Sequence, residues 1–173
     1  MKVITVRSFP TEPLPPGRAY VVDSLPRVLT PLGCDYGNTL AALDADAIVL
    51  LEWDIAVDGY ELADFRWRAM QTPHEPLTAP FKIGHGTSRR YANAVGTGDD
   101  FRPVREGEPW CYWFGFGLTY LPMNLIRGFL DARLPGTEGQ FTDSNFNRWW
   151  NRGAAIDWNT RPVHLHGAPG EPY

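Results

Sequence analysis

A short apolar run, Ala47-Ile48-Val49-Leu50-Leu51, is followed at once by two carboxylates, Glu52 and Asp54. Its length and its β-branched side chains predict a strand buried on both faces, like the central strands of helix-covered sheets. Open α/β sheets present ligand-binding groups at the carboxyl ends of such strands. Carboxylate oxygens suit a hard divalent cation that also carries phosphates. A second interpretation stays open, in which both acids only face water at the end of the strand.

Length and composition indicate one folded domain, residues 1–173. The chain has 173 residues, of which 43% are hydrophobic, so it can bury a sizeable core and is not disordered overall. The net charge of −4 argues against a generally basic nucleic-acid-binding surface, although a local basic patch stays open.

Nothing in the sequence indicates a membrane span or secretion. No apolar run reaches the length of a transmembrane helix, and the first apolar run is too short for a signal peptide. Cys34 and Cys111 lie far apart and form no CxxC pair, which favours a reduced intracellular state over a disulfide framework. We expect a soluble, cytoplasmic protein without a membrane span.

Two short strands are predicted ahead of the buried run, over residues 2–7 and 19–23. They end at Arg7-Ser8 and at Asp23-Ser24, and these polar ends could converge on a nucleotide beside the two carboxylates. Asp23-Ser24 also fits ordinary turn chemistry after a strand.

Helix-start signals and loop-like stretches follow one another along the rest of the chain. Residues 26–33 and 72–110 are loop-like, and a long segment with little regular structure often carries function. Within the second stretch, Arg89 could pair with phosphate of a donor or of a nucleic-acid acceptor, or be solvated. Helices are predicted to begin near Asp35, Asp58, Pro122 and Thr142.

The segment 110–120 is rich in aromatic residues and predicts a strand. Gly115 and Gly117 remove side chains from one of its faces, which lets a ligand or another backbone approach closely. A bulge packed by aromatics is the alternative. Trp113 offers a face on which a base or a sugar could stack, unless it is buried.

Two further groups could carry chemistry in the last third of the chain. Asp143 opens a helix, where an acid is also favoured by the helix dipole alone. His164 and His166 point to the same face if they lie in a strand, a spacing that can chelate a metal. A His-x-His pair can also be an incidental surface feature.

In this order the motifs resemble those of a small GT-A-type glycosyltransferase, the nucleotide-sugar-dependent fold. Val21-Val22-Asp23-Ser24 resembles the second-strand motif that holds the nucleoside, and Glu52-Trp53-Asp54 stands where the family has Asp-x-Asp. Phe114–Gly117 resembles the glycine-bearing acceptor-side strand, with Thr142-Asp143 as the acid at the following helix start. His164-Leu165-His166-Gly167 resembles the terminal His-x-x-Gly of some members. The resemblance implies an α/β fold with a Rossmann-like, mostly parallel central sheet flanked by helices, reduced in size.

The resemblance also implies a role for each residue. Mn²⁺ or Mg²⁺ would bridge Asp54 and the diphosphate of a UDP-sugar donor, with His164 or His166 completing the coordination. Asp143 would accept the proton of the acceptor hydroxyl if the reaction inverts configuration. The groups expected around the nucleotide are Arg7, Ser8, Asp23, Glu52 and Trp53, and those expected on the acceptor side are Trp113, Gly115, Gly117 and Arg89.

The acceptor itself is not identified by the sequence, and a glycan, a protein, a small molecule or modified DNA all stay open. The short chain implies that an acceptor subdomain is missing or contributed by a partner, so a homo-oligomer is possible. Two other classes of protein fit the same residues. One is a metal-dependent hydrolase or nucleotidyltransferase that uses the same carboxylates and histidines. The other is a non-catalytic carbohydrate-binding module that exploits the 13% aromatic content.

Overall fold

The computed structural model describes residues 1–9, 21, 23–29, 35–83, 90–96, 98–137 and 140–165. The helices in these ranges are α1 (Asp35–Ala41), α2 (Gly59–Ala69), α3 (Met123–Ala132) and α4 (Asp143–Trp150). The strands are β1 (Val3–Phe9), β2 (Arg27–Leu29), β3 (Ala47–Glu52), β4 (Ile55–Ala56), β5 (Leu77–Thr78), β6 (Lys82–Ile83), β7 (Arg90–Tyr91), β8 (Ala94–Val95), β9 (Arg102–Pro103), β10 (Trp110–Cys111), β11 (Leu118–Pro122), β12 (Ala154–Ile156) and β13 (Val163–His164).

Seven of these strands form the central sheet, in the order β10-β12-β5-β11-β3-β1-β2. β1 lies between β2 and β3 and runs parallel to both, and β12 runs parallel to β5. β11 is antiparallel to β3 and β5, and β10 is antiparallel to β12. Five strands therefore run in one direction and β10 and β11 in the other. The predicted fold class, α/β with a mostly parallel central sheet, is confirmed.

The side chains of β3 alternate between two hydrophobic cores, one on each face of the sheet. Ile48 and Leu50 join the core that is also formed by residues of α1, α3 and α4. Val49 and Leu51 join the opposite core together with Phe65 of α2. All four of these β3 side chains are fully buried. The prediction of a central strand covered on both faces is therefore confirmed, and β3 fixes the place at which Glu52 leaves the sheet.

Helix starts follow the capping signals of the sequence. The Asp58 carboxylate accepts hydrogen bonds from the backbone N–H groups of Tyr60 and Glu61 at the start of α2. Thr142 caps α4 by accepting from the N–H of Asn145. The helix starts predicted near Asp35, Asp58, Pro122 and Thr142 are confirmed. Within the described ranges, no helix combines the length and the apolar character needed to cross a bilayer.

Four secondary-structure predictions need correction. Residues 72–110, predicted to be loop-like, contain the short strands β5 to β9, and β5 joins the central sheet because it pairs with β11 and β12. Residues 27–29, predicted as a loop, form an edge strand because they pair with the last residues of β1. Residues 110–120 do not form one strand, because the chain between β10 and β11 turns, with the Thr119 hydroxyl donating to the Gly115 carbonyl at 2.8 Å. Of the predicted strand 19–23, only Val21 and Asp23 are described, and neither is in a strand; the other three residues lie outside the described ranges.

We expect the two glycines before β11 to respond differently to substitution. An added Cβ at Gly117 would lie 2.3 Å from the Phe81 ring, whereas at Gly115 the nearest atom would be an ordinary 3.4 Å away. Phe81 is buried, so its ring cannot simply swing into water. Gly117→Ala should lower the free energy of unfolding by about 1–3 kcal/mol, and Gly115→Ala by much less, measured by urea denaturation. Equal effects of the two substitutions would contradict this packing.

Candidate active site

The carboxyl end of the parallel strands collects the polar groups that the sequence singled out. The register of β1 and β3 places Ser8 directly opposite Glu52. Asp54 follows two residues later, in the turn between β3 and β4. Because β1 and β3 are both parallel and adjacent, their ends open at the same edge of the sheet, which is where open α/β sheets bind ligands.

A buried arginine holds this edge together. The Arg7 side chain is 2% exposed, and two of its nitrogens contact Oδ2 of Asp23 at 2.8 and 2.6 Å. Its Nη1 donates to the backbone carbonyls of Glu52 at 2.6 Å and Ile55 at 3.0 Å. The guanidinium thus fixes both ends of the turn that carries Asp54. Arg7 contacts these groups of the protein and positions the turn that carries Asp54, and its expected contact with a nucleotide stays a prediction.

The other groups expected around a nucleotide lie close to this ion pair. Ser8 is buried and shares a hydrogen bond with the hydroxyl of Tyr36, whose pKa is raised well above its ordinary value, first by burial. Trp53 is half-buried, and its carbonyl accepts from the N–H of Val21 at 2.9 Å. The Asp23 side chain keeps 26% of its surface exposed. Glu52 is also half-buried, so Asp23, Glu52 and Trp53 are the partly accessible members of the group expected around the nucleotide.

Asp54 and His164 come together through the pairing of β4 with β13. This antiparallel pair sets His164 opposite Ile55, and the N–H of Leu165 donates to the Asp54 carbonyl at 2.6 Å. His164 Nε2 lies 3.2 Å from Asp54 Oδ2, and both side chains are buried. The other oxygen, Asp54 Oδ1, is buried and has no hydrogen-bond partner within the described residues. His166, the second histidine of the motif, lies outside those residues.

Asp143 lies at the first position of α4 and is held there by the helix itself. Its Oδ1 accepts from the N–H of Ser144 at 2.6 Å. The buried Asn147 amide, one turn later, donates to the carbonyls of Asp143 and Phe114 at 2.7 and 2.8 Å and accepts from the Phe114 N–H. This amide ties the start of α4 to the segment that contains Gly115. A Cβ at Gly115 would lie 3.7 Å from Asp143 Oδ2, so the two face each other.

Three carboxylates share one electrostatic environment at this edge. Burial first, and then the nearby charges of Asp54 and Asp143, together raise the pKa of Glu52 to about 8. Burial also raises the pKa of Asp143. Glu52 therefore holds a proton at neutral pH, because removing it would add a third negative charge to a poorly solvated site. A cation bound here would relieve that repulsion.

The residues expected on the acceptor side have different surroundings. Phe81 fills the gap that Gly117 leaves, whereas Gly115 faces Asp143. Trp113 is half-buried, with its ring edge-on to Phe101 at 6.4 Å between centroids. Arg89 lies outside the described residues.

Two residues at the site escaped the sequence-based predictions. Phe81 packs against the imidazole of His164, with 5.6 Å between ring centroids, and also covers Gly117. Nothing in a loop-like segment marks that contact beforehand. Asn147 had a usable signal, because it lies four residues after Asp143 and therefore on the same face of the helix.

Few potential metal ligands lie close together in the described part of the chain. Within the part of the chain that the structure describes, no three His, Cys, Asp or Glu side chains form a group that could hold a metal ion. Asp54 and His164 are two potential ligands that do lie next to each other. Mg²⁺-like ions are commonly bound by one or two carboxylates plus substrate phosphates, so a two-ligand site fits a cation that arrives with a nucleotide.

No protein-family model matches the chain, and no curated protein matches it in sequence. Solved structures do match it in fold. CMP:2-keto-3-deoxy-manno-octonic acid synthetase, in its complex with CTP, aligns with a TM-score of 0.60 and 10% identity, covering 98% of this chain and 94% of that chain. A197 from STIV aligns with a TM-score of 0.58 and 10% identity, covering 95% and 86%. The chain therefore shares the fold of the synthetase over nearly its whole length.

The raised pKa of Glu52 predicts a specific pH dependence of stability. Between its ordinary value of 4.5 and its folded value of about 8, the folded state keeps a proton that the unfolded state has lost. Rising pH therefore destabilises the fold across this window, by at most about 1.4 kcal/mol per pH unit. Glu52→Gln should remove this slope, so that the variant gains stability relative to wild type between pH 5 and pH 8 in urea denaturation without metal.

The exposed Glu75 offers a matched control for this experiment. Glu75→Gln should leave the pH dependence of the unfolding free energy as it is in wild type. If the unfolding free energies of wild type and Glu52→Gln change with pH in the same way, Glu52 carries no proton in the folded state at neutral pH.

Proposed function

We propose that this protein is a metal-dependent glycosyltransferase that moves a sugar from a nucleotide-sugar, with UDP-sugars as the first donors to test, to a hydroxyl acceptor. The observation that carries the proposal is the buried Asp54–His164 pair, 3.2 Å apart, with one Asp54 oxygen that accepts no hydrogen bond from the described residues. It lies at the ligand-binding edge of a sheet whose fold is shared with a CTP-bound synthetase.

Asp54 and His164 would hold the cation. An uncompensated buried carboxylate oxygen is costly, and a bound cation removes that cost. When bound, the metal neutralises the charge that develops on the leaving nucleoside diphosphate. A nitrogen ligand favours Mn²⁺ over Mg²⁺. His166 stays a second candidate ligand.

The nucleotide would lie across the ends of β1 and β3. Asp23 and Trp53 are the accessible groups for the nucleoside, with Ser8 behind them and Arg7 fixing their geometry. Glu52, opposite Ser8 at the end of β3, is a proposed hydrogen-bond partner of the ribose hydroxyls.

Asp143 is the proposed general base. Its raised pKa makes its carboxylate a stronger proton acceptor than an exposed aspartate. The absence of a side chain at Gly115 leaves the approach to Asp143 Oδ2 open from that side. In a reaction that inverts configuration, Asp143 takes the proton of the attacking hydroxyl while the bond between the sugar and the diphosphate breaks. Trp113, Gly115, Gly117 and Arg89 stay proposed acceptor-side residues.

Nucleotidyl transfer is the second candidate. It is favoured by one observation, the fold shared with CMP:2-keto-3-deoxy-manno-octonic acid synthetase. The same carboxylates would then serve a nucleoside triphosphate, and the leaving group would be pyrophosphate instead of a nucleoside diphosphate.

Product analysis separates the two reactions. The full chain is incubated with Mn²⁺ and either a panel of nucleotide-sugars or the nucleoside triphosphates, each with and without simple sugars. We expect slow release of nucleoside diphosphate from one nucleotide-sugar, and a higher melting temperature with that donor plus Mn²⁺ than with Mn²⁺ alone. Release of pyrophosphate from a triphosphate would favour nucleotidyl transfer instead.

Asp54→Asn should reduce the release of nucleoside diphosphate by at least about 100-fold, because the carboxylate is a direct metal ligand in this proposal. Asp64→Asn, at an exposed position of α2, is the matched control and should retain activity. Unchanged activity of Asp54→Asn, or no thermal shift with any nucleotide-sugar, would overturn the proposed function.

A further inference from the structure

A cleft of about 280 Å³ lies beside His164. Its lining includes the buried side chains of Phe81 and His164 and the exposed side chains of Lys82 and Arg161, so the cleft leads from the core to the surface. None of the groups expected around the nucleotide lines it. The cleft and the proposed metal pair therefore have only His164 in common within the described residues.

One wall of the cleft is aromatic and held in place. Tyr91 and Trp158 meet edge to face, with 5.2 Å between centroids and 87° between planes. The Trp158 indole N–H donates to the carbonyl of Glu108, which fixes the orientation of the ring. Both side chains are only half-buried, so part of each ring is open to the cleft. Such a wall suits a six-membered ring, either a flat aromatic ring or one face of a sugar ring.

The exposed part of the cleft lining is positively charged, although the whole chain has a net charge of −4. Lys82 lies opposite Tyr91 in the β6–β7 hairpin, with its ammonium 5.1 Å from the Tyr91 ring centroid. Arg161 adds a second cation, and Glu106, 3.7 Å from it, is the carboxylate among the described lining residues. Two positive charges against one negative charge favour an anionic ligand.

The size of the cleft limits what it can take. A volume near 280 Å³ is slightly below the range usual for small-molecule sites, about 300–1,000 Å³. It suits a single ring with its substituents and is too small to enclose a nucleic-acid duplex or a folded protein segment.

We propose that this cleft binds a small ring compound that carries a carboxylate, with the ring against Tyr91 and Trp158 and the carboxylate at Lys82. The cleft includes the imidazole that pairs with Asp54, but neither Asp143 nor the proposed acceptor-side residues Trp113, Gly115 and Gly117 line it, so we assign this compound as a ligand separate from the acceptor. Its binding does not depend on the proposed reaction.

The test is a ligand-observed NMR titration of the metal-free full chain with two acids and their neutral counterparts. Methyl glucuronide is compared with methyl glucoside, and 4-hydroxybenzoate with 4-hydroxybenzamide, so that the arms also distinguish a sugar ring from an aromatic ring. We expect at least one acid to bind about tenfold tighter than its neutral counterpart. Equal affinities within both pairs, or no binding of either acid, would overturn the proposal.

Matched variants locate the binding. Lys82→Ala should weaken binding of the acid about tenfold and leave binding of the neutral compound unchanged. Lys2→Ala, at the other lysine of the chain, should have no effect, because Lys2 pairs with Asp44 and does not line the cleft. Trp158→Ala should weaken both members of a pair, and Trp67→Ala, at an exposed tryptophan of α2, neither. Circular dichroism checks that each variant folds. Acid binding that survives Lys82→Ala unchanged would overturn the proposal.

The outcomes also separate this inference from the proposed function. Binding of an acid without a thermal shift or diphosphate release from any nucleotide-sugar would support the cleft assignment and overturn the glycosyltransferase proposal. A thermal shift and diphosphate release with a nucleotide-sugar, but no binding of either acid, would support the glycosyltransferase proposal and overturn the cleft assignment.

Discussion

The buried guanidinium of Arg7 is the contact on which the geometry of the site depends. It joins Asp23 to the two carbonyls that flank the turn after β3, and it is almost completely withdrawn from water. Removing one partner of a buried ion pair typically costs about 3–5 kcal/mol, because the remaining charge stays buried and uncompensated. The turn that presents Asp54 is therefore set by the fold before any ligand binds.

That rigid frame brings like charges together. Glu52, Asp54 and Asp143 lie close enough to raise the pKa of Glu52 to about 8, with burial as the main cause. Three neighbouring carboxyl groups do not by themselves stabilise the fold. Carboxyl groups with perturbed pKa values are characteristic of functional sites. The adjacent cleft has the opposite character, with two cations and aromatic walls. The proposed site thus has a cation-binding side and an anion-binding side, with His164 between them.

The sequence predicted well what depends on local pattern. The buried strand β3 followed from its apolar run, and the start of α2 from the capping residue Asp58. What depends on distant partners was not predictable. The short strand β2 exists because it pairs with the edge of β1, and Gly117 is small because a ring from Phe81, 36 positions earlier, packs on it. The contact of Asp54 with His164 had only the order of motifs in its favour, since strand pairing across more than a hundred residues leaves no local signal.

The central claim is that Asp54 and His164 together hold a divalent cation that arrives with a nucleotide. Pulsed electron paramagnetic resonance of Mn²⁺ bound to the protein with UDP tests it directly, through the nitrogen modulation that an imidazole ligand produces. We predict this modulation in wild type, its loss in His164→Ala and its retention in the control His74→Ala, an exposed histidine. A spectrum identical to that of Mn²⁺ with UDP in buffer would contradict the account.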